Sequence, residues 1–139
     1  MGNPYEINNG SNGTKGSQAM YSQVLTVESD MDIVVTRMRV REMARRAGLS
    51  LTEQASISLA VSYLANALGM GPAKKGQVTI NCLEDNDPKS VQIICMIEKV
   101  LKEEELNGIE EHARWLVDEL NIESIPPWFV RVTATKHTA

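Results

Sequence analysis

Residues 30–68 constrain the fold more than any other part of the chain. Ile33, Val40, Ala44 and Ala47 recur at i, i+7, i+11 and i+14, a stripe down one side of a helix. Ser29 or Asp30 offers its N-cap, and Gly48 stands just past its last turn. A second stripe follows at once: Ile57, Val61, Leu64 and Leu68, at i, i+4, i+7 and i+11. Ser50 or Thr52 caps that helix, Glu53 follows Ser50 at capping-box spacing, and Gly69-Met70-Gly71-Pro72 ends it. Two apolar stripes in succession need a further apolar layer to cover them.

The flanking segments supply that layer as strands. QVLTVES (23–29) sets Leu25 and Val27 on one face, and QVTINCLE (77–84) alternates Val78, Ile80 and Cys82 inward. Asp85-Asn86-Asp87-Pro88 is a turn signal, and SVQIICMIEK (90–99) reads as the hairpin partner through Val91, Ile93, Cys95 and Ile97. A last helix over roughly 103–119 aligns Leu106, Ile109, Ala113, Leu116 and Leu120. Asn121–Ile125 then pairs through Pro126-Pro127 with WFVRVTATK (128–136). The order β-α-α-β-β-α-β(-β) predicts an α/β two-layer sandwich: a mostly antiparallel sheet of four to five strands with three helices on one face. Residues 1–22, rich in Gly, Asn and Ser, read as a disordered tail; 23–136 form one domain, and 137–139 a short tail.

Composition narrows what such a domain can do. With one Phe, three Tyr and two Trp in 139 residues, the core must be aliphatic. Trp115 and Trp128 are expected as half-buried anchors, with exposure at an interface as the alternative. A net charge of −4 disfavours non-specific grip on nucleic acid or anionic lipid. The charge is uneven: Arg37, Arg39, Arg41, Arg45 and Arg46 crowd the first helix against Glu42 alone, while 98–123 is strongly acidic. No apolar run is long enough to span a bilayer, and no signal peptide is evident, so the expected compartment is the cytoplasm. In that reducing setting Cys82 and Cys95 are expected as core thiols. His112 and His137 have no metal-ligand spacing, so no metal site is expected.

The segment DIVVTRMRVREMARRAGLSLTEQASISLAVSYLANAL (32–68) resembles the first two helices of the anti-sigma-factor serine kinases, and in particular the switch kinases of the bacterial stressosome. These belong to the GHKL ATPase superfamily, whose Bergerat-type fold the resemblance implies. KKGQVTI (74–80) is similar to the family's exit from its second helix, and GIEEHARWLVDELNIES (108–124) to its last helix and terminal hairpin.

The resemblance also implies an Mg-ATP site, and its three elements fail one by one. The family's second helix carries Ser-Glu-Leu-Ala-x-Asn, whose Glu positions a proton acceptor and whose Asn side chain ligates Mg²⁺. Ser62-Tyr63-Leu64-Ala65-Asn66-Ala67 lies over it, so Tyr63 replaces the Glu and Ala67 the Asn. Asn66 is adjacent, but one helical residue turns a side chain by about 100°. The Asp-x-Gly-x-Gly that holds adenine is missing; Glu98 is the only acid near its place. Of the Gly-rich lid over the phosphates, only Gly108 remains.

The expected function is therefore that of a non-catalytic, pseudo-kinase GHKL-like module regulating by protein contact in a partner-switching stress or sigma-factor pathway. The resemblance implies a STAS-domain antagonist, a sigma factor or a phosphatase as partner, and allows a homodimer through the sheet or the first helix. Arg37, Arg41 and Arg45 are the candidate contact residues, and no cofactor is expected. The alternative is an active serine kinase or ATPase with an unconventional Mg-ATP site, using Glu98, Asn66 and the lysines at 74–75. Tyr63 either fills the space ATP would occupy or forms part of a contact surface.

Overall fold

A computed structural model describes residues 21–83, 89–126 and 128–138. The elements are β1 (Tyr21–Val27), α1 (Asp30–Arg46), α2 (Leu51–Ala67), β2 (Gly76–Leu83), β3 (Ser90–Glu98), α3 (Glu103–Ala113), β4 (Glu119–Ile125) and β5 (Phe129–His137). The five strands form one antiparallel sheet in the order β1-β2-β3-β5-β4. This is the expected α/β sandwich with five strands and three helices. Residues 1–20 of the expected tail and the expected turn at 85–88 lie outside the described residues, and Tyr21 and Ser22 already belong to β1.

Local chemistry sets both long helices. The Ser29 side chain accepts from the Asp32 amide, while Ser50 and Glu53 close a full capping box. Gly48 and Gly69 take positive φ just past the helix ends, the left-handed conformation that lets the chain reverse without a Cβ penalty. The core joins the α1 and α2 stripes (Ile33, Val40, Ala44; Ile57, Val61, Leu64, Leu68) to the inward residues of β2, β3 and β5. It is aliphatic, as the scarcity of aromatics requires.

Cys82 and Cys95 are fully buried thiols. Cys82 pairs with Val91, and Cys95, on that same strand, with Val78. The two thus sit four rungs apart, roughly 13 Å along the ladder, well beyond disulfide reach. Burial alone pushes the Cys95 thiol up to about 12, so it stays protonated.

Three expectations require correction. The last helix stops at Ala113 rather than running to about 119. Asp118 donates its amide to the Thr135 carbonyl at 2.8 Å, and Glu119 opens β4 opposite Thr135, so sheet pairing takes over a segment with fair helical pattern. Trp115 is 83% exposed and is not the half-buried anchor expected, whereas Trp128, at 55%, is about half buried. His137 belongs to β5, where its ring meets the Glu119 carboxylate at 2.7 Å.

Candidate functional site

The positions expected to carry nucleotide chemistry fall on α2, the end of β3 and α3. The α2 register buries Ile57, Val61, Leu64 and Leu68 at no more than 1% exposure. That orientation leaves Tyr63 and Ala67 half-buried against the core and turns Asn66 to solvent. Tyr63 reaches across to α3. Its hydroxyl donates to the Gly108 carbonyl at 3.2 Å, and its ring lies 5.7 Å from that of His112, tilted by 31°. His112 Nδ1 meets the same carbonyl at 2.8 Å, which places the proton on Nδ1. The Tyr63 phenol thus ties α2 to α3 through a backbone oxygen that it shares with the His112 imidazole of α3 itself. A carboxylate at position 63 could not donate such a bond.

The link from β3 to α3 spans only residues 99–102. The Lys99 amide donates to the Trp128 carbonyl at 2.8 Å, and the Lys102 amide to Glu105 Oε1 at 3.0 Å. Both amides are spent within the protein, and four residues cannot form a phosphate-wrapping lid. Gly108 does not belong to such a lid: it sits inside α3 with no positive φ, and a Cβ there would meet open space. Its contribution is the carbonyl that Tyr63 and His112 share.

Glu98 closes β3, with its carboxylate 3.7 Å from Lys74 Nζ and both side chains about half exposed (52% and 51%). Glu98, Lys74 and Lys75 line a cavity of about 410 Å³ together with Thr26, Met96 and Phe129. The structure therefore brings together Glu98 and the two lysines, and leaves Asn66 out of that lining. Among the described residues no group of His, Cys, Asp and Glu could hold a metal ion.

Arg37, Arg41 and Arg45 are all exposed on one side of α1. Arg45 pairs with Glu42 at 2.7 Å. That contact draws the Glu42 carboxyl below its ordinary value and raises the Arg45 guanidinium. Arg46 instead stacks on Tyr21, its guanidinium carbon 4.3 Å from the ring centroid. The same side of α1 carries an apolar row that sequence reading missed: Met31, Val34 and Met38, at 66%, 44% and 65% exposure. Its signal was present, because i, i+3, i+7 spacing places these three on a helix face different from that of Ile33, Val40 and Ala44. At 100° per residue the three apolar and three basic side chains share an arc of roughly 120°. A groove of about 260 Å³ beside Met38, Arg41, Glu42 and Arg45 runs to Gln54 of α2.

The sequence matches no protein-family model and no curated protein. Among solved structures the chain is similar to the crystal structure of the RsbU and RsbW domains of Rv1364c from Mycobacterium tuberculosis, with a TM-score of 0.60 and 17% identity. The match covers 84% of this chain and 32% of that one, so this chain spans about a third of its neighbour's length. At that identity the likeness defines a class of fold. No helix among the described residues is long and apolar enough to cross a membrane.

Proposed function

We propose that this chain is a non-catalytic GHKL-like regulatory module that acts in the cytoplasm by binding other proteins in a partner-switching stress or sigma-factor pathway. The observation that carries the reading is the Tyr63–Gly108 hydrogen bond between α2 and α3. Where the resembled kinases place a catalytic carboxylate, this chain places a ring that bridges two helices. The four-residue link 99–102 supports the same conclusion, since it leaves no segment to cover a triphosphate.

The contact surface is the exposed side of α1. Met31, Val34 and Met38 form an apolar strip, and Arg37 and Arg41 have no carboxylate partner among the described residues. Exposed apolar side chains rimmed by arginine are the composition of a protein-binding patch. The partner is of the kind the resemblance implies: a STAS-domain antagonist, a sigma factor or a docked phosphatase. A homodimer is compatible with this surface.

The test is calorimetric titration of the full chain with purified STAS-domain proteins from the same genome. We expect one of them to bind with defined stoichiometry. An R37Q/R41Q/R45Q variant should bind at least tenfold more weakly with an unchanged melting temperature. Binding indifferent to the three arginines would refute the α1 surface, and absence of binding to every STAS-domain protein, sigma factor and phosphatase tried would refute the functional reading.

A further inference from the structure

The cavity beside Glu98 lies on the face of the sheet opposite the described helices. Strand register fixes this. Thr26, Gln77, Met96 and Arg131 form one cross-strand row, and Glu98 pairs with Phe129, while the alternating neighbours Val27, Val78, Ile97 and Val130 point into the core. The Tyr63 contact lies on the opposite, helical side. The cavity takes in Glu98 and the lysines at 74–75, which the alternative Mg-ATP reading also invokes, but none of Tyr63, Asn66, Ala67 or Gly108.

Its walls are held from both sides. The Gly71 amide donates to the Lys74 carbonyl at 2.9 Å, closing the loop that carries the lysines. Met70, 4% exposed, packs so closely over Gly76 that a Cβ there would overlap it. On the other wall, the Lys99–Trp128 backbone bond extends the β3–β5 ladder one step beyond the Glu98–Phe129 pair. The volume of about 410 Å³ falls within the range of small-molecule sites. Such sites combine apolar lining with a few polar groups, and this one is lined by Met96 and Phe129 together with Lys74, Lys75 and Thr26.

The charges select the ligand. Lys74 and Lys75 face one acid, Glu98, and the Lys74–Glu98 contact is long and half exposed, hence weak. The site carries one net positive charge, which a single carboxylate balances. A triphosphate would bring several negative charges against that one and crowd the Glu98 carboxylate. Phe129 is the only Phe in the chain; it is 38% exposed, and Trp128 beside it is 55% exposed. Aromatic surface is spent here in a protein that has very little of it.

We propose that this cavity binds a small monocarboxylate with an aromatic or branched apolar body, its carboxylate held by Lys74 and Lys75 and its body resting on Phe129 and Met96. The inference is independent of the partner-binding reading, because it concerns the other face of the sheet.

Two-dimensional amide NMR of the full chain tests it, with 2-naphthoate as the anionic probe, 2-naphthylmethanol as its neutral counterpart and Mg-ATP as competitor. Saturable shifts by naphthoate should cluster at Thr26, Gly76, Gln77, Met96 and Phe129. A K74Q/K75Q variant should weaken naphthoate at least tenfold and the neutral probe less than twofold, while F129A should weaken both. Melting temperatures will separate lost binding from lost folding. Shifts that do not saturate, that scatter over the sheet, or that ignore the lysines would overturn the proposal. Tighter binding of Mg-ATP at the same residues would overturn it in favour of a nucleotide site.

Discussion

Replacing Tyr63 probes the contact on which the reading rests. The Tyr63 ring is half-buried between the α2 stripe and α3. Truncation to Ala exposes roughly 100 Å² of apolar surface, worth about 2.5 kcal/mol. It also removes the aromatic contact with His112, worth about 0.5–1 kcal/mol, and the bond to Gly108, worth about 0.5–1 kcal/mol. Against these stands about 0.5 kcal/mol from the better helix propensity of Ala. The expected net loss is about 3–4 kcal/mol, or a fall in melting temperature of at least about 10 °C for a domain of this size. Tyr63→Phe should cost far less, about 0.5–1 kcal/mol, because His112 still satisfies the Gly108 carbonyl. A double-mutant cycle of Tyr63→Ala with His112→Ala, read by urea denaturation, should give a coupling of about 0.5–1.5 kcal/mol. A Tyr63→Ala protein that melts within 1 °C of the parent, or a cycle that is strictly additive, would refute the picture of a ring clamped between two helices.

Two further outcomes follow from the packing and the electrostatics. Gly76→Ala forces a methyl into the buried Met70 side chain and should lower stability by about 1–3 kcal/mol, with Met70→Ala in the same chain recovering part of the loss; no loss at all would refute the close packing at this turn. The Lys102 amide, followed by Lys99, holds the Glu105 carboxyl below its ordinary 4.5. Arg131 acts likewise on Glu123, and Arg45 on Glu42. A carboxyl whose folded value is lowered binds fewer protons folded than unfolded, so its stabilisation is complete above about 4.5 and is lost as pH falls below that value. Urea midpoints measured from pH 7 to pH 3 should drop in that acid window, and Glu105→Gln should make the drop shallower. An unchanged acid slope would rule out the α3 cap as its source.

Most of the architecture was legible because hydrophobic period and capping chemistry agree. Ser50 with Glu53, Gly48 past α1, and the alternation of Val78-Ile80-Cys82 each specify one local answer, and the packing accepts all of them. The end of α3 was not legible. Leu116 and Leu120 continue a helical stripe, but Leu120 is claimed by pairing with Ala134, fourteen positions further along, and non-local pairing leaves no mark in a local window. Exposure was harder still to read. Trp115 looks like a core residue by type yet stands exposed in the turn after α3, and Met31 and Met38 face outward because Ile33 and Val40 take the buried side of α1. The cavity draws Thr26, Lys74, Met96 and Phe129 from four distant segments, so no motif spacing could have announced it. Position 63 was legible as a departure from the kinase pattern, but the role of Gly108 was not: a glycine inside a helix contributes here only a carbonyl.

Isothermal titration of the full chain with millimolar Mg-ATP bears most directly on the proposal that nucleotide chemistry has been lost. The account predicts no heat beyond dilution, for the parent and for a Glu98→Gln variant alike. A saturable one-to-one heat from the parent, abolished by Glu98→Gln, would contradict it.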